Sequence, residues 1–166
     1  SKYSDLHQRF LRGVASTGDV MSETIVVKFG GSCLSSPQNV NLAAKKVAEE
    51  VKTNKKIVVV VSALSGVTDN LLKLALESSL NQASKDELDE ILSMGERTAT
   101  RLMTSALRSF GLKSVGLDPT SSLWPIQTNS EFGNAEVDLE KTSRAVEEKI
   151  KPLLDEGYVV VVPGFI

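Results

Sequence analysis

Short apolar runs alternate along the chain with longer segments in which apolar residues recur every three or four positions. Three runs rich in valine and isoleucine predict strands, at residues 25–27, 57–61 and 158–162, and the segment 113–117 is predicted as another strand. Most of them are apolar throughout, which is typical of parallel strands that are covered on both faces. The alternation with helical segments predicts a three-layer α/β/α sandwich with a mainly parallel sheet and right-handed crossovers.

The helical period predicts four helices, at about 37–52, about 69–80, from Ser84 to Gly111, and around residues 139–150, where Pro152 ends or kinks the helix and Gly157 closes it. Start signals precede three of them. Ser36 is the expected N-cap before Pro37, Thr68 the expected N-cap of the second helix, and Ser84 begins a capping box with Glu87.

The long third helix carries two distinct stripes. Its buried stripe is predicted to be Leu88, Leu92, Gly95, Ala99, Leu102, Ala106 and Phe110. Arg97, Arg101 and Arg108 share another face, where we expect a solvated basic stripe. Beyond it, residues 119–136 lack a helical period, and 124–128 is predicted as a short edge strand and 132–134 as a turn, either with a binding role or as an appended hairpin.

Composition narrows the class of protein. The chain has 166 residues, of which 41% are hydrophobic and 24% charged, as expected for one globular domain. A net charge of -2 gives no electrostatic case for nucleic acid or an anionic membrane, and no apolar run is long enough to span a bilayer. The single cysteine, Cys33, fits a reducing compartment, and with one histidine it leaves no zinc-type cluster.

Residues 1–20 are set apart from this pattern as an N-terminal extension or tag, since Met21 stands immediately before the first strand and could be a natural start. The folded unit is then expected to be 21–166. The compartment is expected to be the cytoplasm, with a plastid possible if the extension is native.

The first strand leads into a glycine turn, Lys28-Phe29-Gly30-Gly31-Ser32, and then into a helix. Strand, glycine turn and helix form an anion site in many α/β proteins, because backbone N–H groups can approach a phosphate closely. Lys28 would add a mobile positive charge. The alternative is a turn that needs positive φ at a glycine, with Lys28 merely solvated.

Two further features carry candidate chemistry. The segment 62–70 is rich in hydroxyls and follows a buried strand, where open α/β sheets hold ligands, although plain loop and cap chemistry would use the same residues. Glu96 points along the edge of the apolar stripe, where a carboxylate is costly unless it is paired or solvated in a cleft. It either forms a salt bridge or binds a cationic group of a substrate.

These residues, in this order, resemble the aspartate kinases of the amino-acid kinase superfamily. The matching blocks are Lys28–Ser32, Ser62–Leu71, Ser93–Glu96, Phe132–Ala135 and Pro163–Ile166. Cys33 departs from the family, which more often has serine there. The resemblance implies a carbamate-kinase-like fold and ATP-dependent phosphorylation of the β-carboxylate of L-aspartate to 4-phospho-L-aspartate, the first step of lysine, threonine and methionine biosynthesis. Residues 21–166 would be the N-terminal, substrate-binding part of the kinase domain, without the nucleotide half and the regulatory ACT domains.

The resemblance also implies roles for individual residues. Lys28 would be catalytic and would contact the transferring phosphoryl group, and the backbone of Gly30, Gly31 and Ser32 would cradle phosphates. ATP would be used with Mg²⁺, and no residue would be a metal ligand in this part of the chain. A carboxylate nucleophile is already ionised at neutral pH, so the reaction requires no catalytic histidine.

On the substrate side, the resemblance implies that Ser62 and Thr68 lie near L-aspartate, that Glu96 binds its ammonium group, and that Phe165 packs beside it. A homo-oligomer is expected, and the chain by itself is expected to be inactive. The alternatives are an acetylglutamate, glutamate or UMP kinase of the same superfamily, or a non-catalytic binding or dimerisation fragment. Neither a Walker A loop nor a protein-kinase glycine loop is present.

Overall fold

A sheet of four parallel strands forms the centre of the molecule; the computed structural model describes residues 24–125 and 144–164. The strands are β1 (Thr24–Phe29), β2 (Lys56–Val61), β3 (Ser114–Gly116) and β4 (Val159–Pro163). Their order in the sheet is β1-β2-β4-β3, with every neighbouring pair parallel. The apolar runs therefore predicted the strands and their parallel arrangement correctly, with bounds shifted by one or two residues.

Helices cover both faces of this sheet. They are α1 (Pro37–Val51), α2 (Val67–Ser78), α3 (Lys85–Ser109) and α4 (Lys151–Asp155). A 3-10 turn (Gly31–Leu34) precedes α1, and a π-helical turn (Val146–Ile150) leads into α4 at the proline predicted to break the helix. Helices α1 and α3 pack on one face of the sheet, and the segment around α4 packs on the other. The three-layer α/β/α architecture is confirmed.

The start of α1 follows the predicted capping. The backbone N–H of Asn39 donates to Ser36 Oγ at 3.2 Å, and Pro37 occupies the first turn. The prediction for α2 is wrong at its start, because the helix begins at Val67 with Gly66 as its N-cap. Gly66 has φ 81, a left-handed conformation that favours glycine, so Thr68 lies inside the first turn rather than before it.

The buried stripe of α3 differs from the prediction. Leu102 and Phe110 are 43% and 37% exposed, whereas Thr100, Met103 and Thr104 are buried. The hydroxyl of Thr100 donates to the carbonyl of Glu96 at 2.9 Å, and that of Thr104 to the carbonyl of Thr100 at 2.7 Å. Because each hydroxyl is satisfied by the helix itself, threonine can be buried here at little cost.

Threonine also suits this position because α3 lies very close to β3. A Cβ added to Gly116 would be 2.7 Å from Thr104 Oγ1 and 3.2 Å from Thr100 Cγ2. Only glycine in the strand and a small side chain on the helix allow that approach. The buried face of α3 therefore includes Thr100 and Thr104 together with the predicted Gly95 and Ala99, and it leaves Leu102 exposed.

Two further predictions concern the start of α3 and the segment after β3. Ser84 is the N-cap residue of α3, but its side chain makes no capping hydrogen bond to the helix, so the capping box with Glu87 is wrong. Trp124 is buried directly after a turn, its backbone N–H donates to the Ser121 carbonyl, and it is not in a strand. The remaining predictions for residues 126–143 lie outside the described residues. No helix in 24–125 or 144–164 is long and apolar enough to cross a membrane.

Candidate active site

The carboxyl ends of all four strands lie at the same edge of the sheet, because the strands are parallel. The segments that follow them begin at Gly30 after β1, Ser62 after β2, Asp118 shortly after β3 and Gly164 after β4. This edge is where open α/β sheets bind ligands. It gathers the polar and glycine-rich segments that the sequence singled out.

Two of these segments, those after β1 and β2, meet the N-terminal half of α3 at Ala63. A Cβ added to Gly31 would lie 3.4 Å from the carbonyl oxygen of Ala63, and one added to Gly95 would lie 3.3 Å from its Cβ. The N–H of Ser62 also donates to the carbonyl of Phe29 at 3.2 Å. The glycine turn, the hydroxyl-rich loop and the N-terminal half of α3 are therefore in direct contact.

The end of β4 joins the same group. The N–H of Gly164 donates to the carbonyl of Val61 at 2.8 Å, and a Cβ at this glycine would lie 3.0 Å from Val60 Cγ1. Pro163 is in register with Val61. Phe165, a predicted site residue, lies outside the described residues.

The glycine turn does not need positive φ. Gly30 has φ -81, and neither it nor Gly31 is among the glycines with positive φ. The alternative explanation of these glycines, a left-handed turn, is therefore wrong. A Cβ added to Gly30 would meet nothing within 4 Å among the described atoms. Neither backbone conformation nor internal packing requires glycine at residue 30, and the open space beside it lies at the carboxyl edge of the sheet.

Lys28 is the last but one residue of β1 and is exposed. It pairs in register with Val60 and, by the alternation of a strand, points to the same face as Val26, toward α4. Ser32 is exposed in the 3-10 turn, Ser62 is half-buried at the end of β2, and Thr68 is exposed in the first turn of α2.

The placement of Glu96 follows from how α3 runs against β3. Ser114 Oγ donates to the carbonyl of Thr104 at 2.9 Å, whereas Thr100 packs over Gly116, so the helix runs opposite to the strand. Glu96 is one further turn along, about 6 Å beyond Thr100. That position is past the end of β3, at the carboxyl edge.

Glu96 also faces inward. It is three residues before the buried Ala99 and four before the buried Thr100, and it is itself half-buried. The sequence predicted Glu96 at the edge of the buried stripe of α3. Because the observed buried face includes Thr100 and Thr104, Glu96 lies on that face. Its neighbour Gly95 contacts Val67 and Leu71 as well as Ala63, which holds this turn of α3 against the start of α2.

A buried carboxylate that the sequence analysis did not single out lies beside this turn. Asp118 is 1% exposed; its Oδ2 is 3.2 Å from Arg101 Nη2 and 3.7 Å from Arg97 Nε. Burial disfavours the charged form, but hydrogen bonds from Thr120 and the two guanidinium charges outweigh it and hold the pKa of Asp118 below its ordinary value. An aspartate directly after a strand, at the edge where the site residues gather, was the available signal.

The expectation of a solvated basic stripe on α3 is confirmed for Arg101 and Arg108, which are exposed, whereas Arg97 is half-buried. The sequence did not predict that these arginines also bind acceptors of the protein. Besides binding Asp118, Arg101 donates through Nη1 to the carbonyl of Gly116 at 3.2 Å. Arg108 donates to the carbonyl of Ser114 through Nε at 3.2 Å and Nη2 at 3.0 Å. These two carbonyls point away from β4, so the arginines satisfy acceptors on the outer side of β3.

Within the described ranges, no group of three histidine, cysteine, aspartate or glutamate residues could hold a metal ion. The candidate site thus brings a lysine, an open glycine turn, hydroxyls and the Glu96 carboxylate to a single edge, with the buried Asp118 carboxylate beside them.

Comparison with protein families matches residues 23–166 to the Amino acid kinase family. The chain belongs to this family. Among curated relatives, it is 40% identical to an aspartokinase of Geobacillus stearothermophilus and 37% identical to one of Helicobacter pylori, each over 141 residues. Both alignments cover 85% of this chain and 33% of the relative, so the chain spans about a third of the length of these proteins.

Solved structures agree with the fold. Aspartate kinase from Synechocystis superposes with a TM-score of 0.65 at 28% identity, over 82% of this chain and 21% of that one. Aspartokinase III from E. coli, in complex with aspartate and ADP, gives 0.69 at 24% identity, over 85% and 40%. Carbamate kinase from Giardia lamblia gives 0.58 at 14% identity, over 86% and 61%. The predicted amino-acid kinase fold is confirmed.

Proposed function

We propose that the protein containing this chain is an aspartate kinase, which transfers the γ-phosphoryl group of ATP to the β-carboxylate of L-aspartate and forms 4-phospho-L-aspartate and ADP. This reaction would be the first step of lysine, threonine and methionine biosynthesis. The contact of the glycine turn, the loop after β2 and the Glu96 turn at Ala63 is the observation that carries the proposal. Curated relatives named aspartokinase support it.

The phosphate end of the site is assigned to the glycine turn. A Cβ at Gly30 would meet nothing within 4 Å, so the backbone of the glycine turn is open to an approaching phosphate on that side. The first N–H groups of a helical turn have no acceptor within that turn, so those of Gly31 and Ser32 can donate to phosphate oxygens. Lys28, exposed at the end of β1, supplies a positive charge for the transferring group.

The amino-acid end is assigned to the Glu96 turn. A half-buried carboxylate at the carboxyl edge suits the ammonium group of aspartate, because a charge-assisted hydrogen bond is stronger where water is partly excluded. Ser62 and Thr68, from the adjoining loop and first turn of α2, would hydrogen-bond the same substrate. Phe165 would pack beside it.

The chemistry asks these residues for positioning and charge neutralisation. A carboxylate oxygen of aspartate attacks the γ-phosphorus, the bond to the β–γ bridging oxygen breaks, and ADP leaves with that electron pair. Aspartate is ionised at neutral pH, so no proton has to be removed from the nucleophile. The Lys28 ammonium would neutralise charge that develops on the phosphoryl oxygens. Mg²⁺ would arrive on the nucleotide phosphates and supply further neutralisation.

The wider assignments rest on the same proposal. We expect a homo-oligomeric enzyme of the cytoplasm, with a plastid possible, whose partners are ATP and L-aspartate. The net charge of -2 of this 166-residue chain gives no reason to expect nucleic acid or an anionic membrane as a partner of this part of the protein. We also propose that the 166-residue chain alone is inactive, because it spans about a third of the length of its curated relatives.

The substitution Glu96→Gln tests the amino-acid assignment. It keeps the shape of the side chain and removes its charge, so the KM for aspartate in the whole protein should rise by about 10- to 150-fold, the equivalent of a charged hydrogen bond. The KM for ATP should change little. The measurement is steady-state ADP release with each substrate varied in turn.

A matched control is Glu87→Gln, which removes the same charge from an exposed position in the first turn of α3, away from Arg97 and Arg101. It should leave both KM values unchanged. If Glu96→Gln lowers the unfolding temperature and leaves the aspartate KM as it was, Glu96 is a structural residue and the amino-acid assignment fails.

A further inference from the structure

Asp118 joins the end of β3 to the turn of α3 that carries Glu96. Its Oδ1 accepts hydrogen bonds from the Thr120 N–H at 2.9 Å and from the Thr120 hydroxyl, both in the turn that follows β3. Its Oδ2 lies 3.2 Å from Arg101 Nη2 and 3.7 Å from Arg97 Nε, both on the helix. One carboxylate oxygen is therefore committed to the strand side and the other to the helix side.

Both arginines follow Glu96 along α3. Arg97 is the next residue, about 100° further around the helix axis, and Arg101 is one turn beyond Arg97. The contact of Asp118 with Arg97 and Arg101, here called the tether, opposes rotation of α3 about its axis. The direction of the Glu96 side chain depends on that rotation. The adjacent Gly95 has no side chain that could interlock with the facing loop and fix the rotation by itself.

Burial fixes the Asp118 end of this contact. Asp118 is 1% exposed, and its own N–H donates to Ser121 Oγ at 3.1 Å, so the carboxylate cannot move without breaking the turn after β3. The Arg97 and Arg101 side chains are 33% and 58% exposed, so only the carboxylate end of these ion pairs is buried. Without its charge, a neutral amide would hold the two guanidinium groups less strongly than the carboxylate does.

We propose that Asp118 is a positioning residue: through Arg97 and Arg101 it sets the orientation of α3 at the carboxyl edge and thereby aims the Glu96 carboxylate at the ammonium group of the substrate. This inference rests on the proposed function, since it concerns the ligand assigned to Glu96. It adds a residue that contacts no substrate and acts through the helix.

The test is Asp118→Asn in the whole protein, an isosteric change that removes the charge. The KM for aspartate should rise by about 2- to 30-fold, the range for substitutions that act through a neighbouring element. The KM for ATP should stay within about twofold, because the glycine turn is held by other contacts. An unchanged aspartate KM in a folded Asp118→Asn protein overturns the inference.

A double-mutant cycle separates positioning from a general loss of structure. If Asp118 acts through Glu96, Asp118→Asn should raise the aspartate KM in the wild-type background and leave it unchanged in the Glu96→Gln background. Equal effects in both backgrounds would overturn the inference. If Glu96→Gln alone leaves the aspartate KM unaltered, the proposed function fails first, and the two failures are thus distinguishable.

Arg108→Met is the matched control. Arg108 also binds β3, through the carbonyl of Ser114, but it lies twelve residues from Glu96, about 18 Å along the helix. Its loss should lower the unfolding temperature and leave the aspartate KM unchanged. If Asp118→Asn does not fold, Arg97→Gln replaces it, since this partly exposed side chain carries the arm of the tether nearest Glu96. The same cycle and the same outcomes then apply.

Discussion

Gly95 of α3 and Ala63 of the loop after β2 pack so closely that a Cβ on Gly95 would lie 3.3 Å from the Cβ of Ala63. Val67 and Leu71 would be equally near. The glycine thus lets a long helix approach the loop after a central strand, and it does so one residue before Glu96. The close approach brings the carboxylate to the edge of the sheet where the glycine turn also ends.

Gly95→Val tests this packing. The branched side chain would collide with three neighbours at once, so the free energy of unfolding should fall by about 1–3 kcal/mol, as for overpacked cores. The displaced helix should also raise the aspartate KM. Denaturant unfolding and steady-state kinetics measure the two effects. Thr98→Val puts the same side chain on an exposed position of the same helix and should change neither quantity appreciably. Equal stabilities for the two variants would show that the approach is not tight.

Lys28→Ala should lower kcat by about 10²- to 10³-fold and change the aspartate KM little, because a cation that neutralises charge developing on the phosphoryl group acts mainly in the transition state. Lys45→Ala removes an exposed lysine from α1 and serves as the control, with kcat unchanged. A Lys28→Ala enzyme with near-normal kcat would exclude the proposed role.

The lowered pKa of Asp118 makes a signed prediction for stability against pH. The folded-state pKa lies below the ordinary value of 3.8, so the ionised carboxylate stabilises the fold above about pH 3.8, and that contribution is lost as the pH falls through the folded-state pKa. The stability difference between wild type and Asp118→Asn should therefore be constant near neutral pH and shrink under acidic conditions. Urea midpoints measured over a pH series provide the check. A difference that grows on acidification would contradict the assigned direction.

The sequence predicted an element correctly where its residues alone determine the local structure. Continuous valine runs predicted parallel strands because only strands covered on both faces can be apolar throughout, and β2 and β4 are such strands. Ser36 before Pro37 predicted the start of α1 because both residues act locally. The start of α2 was predicted wrongly. Gly66 adopts a left-handed conformation and is the N-cap, so the helix begins at Val67 and Thr68 already lies within it.

Long-range contacts decided the rest. The apolar period placed Leu102 on the buried face of α3. In the structure Leu102 is exposed, and Thr100 and Thr104 are buried because α3 lies close to Gly116. The orientation of α3 also sets Arg101 over Asp118, a pairing between residues 17 apart in sequence that helical periodicity cannot reveal. Glu96 could be identified as a candidate because burying a carboxylate beside an apolar stripe costs free energy. Its position beyond the end of β3 could not be predicted, because it depends on the direction in which α3 runs against that strand.

The most direct test of the central claim is a substrate panel assayed with ATP and the whole protein: L-aspartate, L-glutamate, N-acetyl-L-glutamate and UMP, with the 166-residue chain as a parallel sample. Hydroxylamine traps an acyl phosphate as a hydroxamate, which identifies the phosphorylated carboxylate. The account predicts ADP release and hydroxamate with L-aspartate, and no turnover by the isolated chain. Preference for N-acetyl-L-glutamate, which has no ammonium group for Glu96 to bind, or no turnover of L-aspartate by the whole protein, would contradict it.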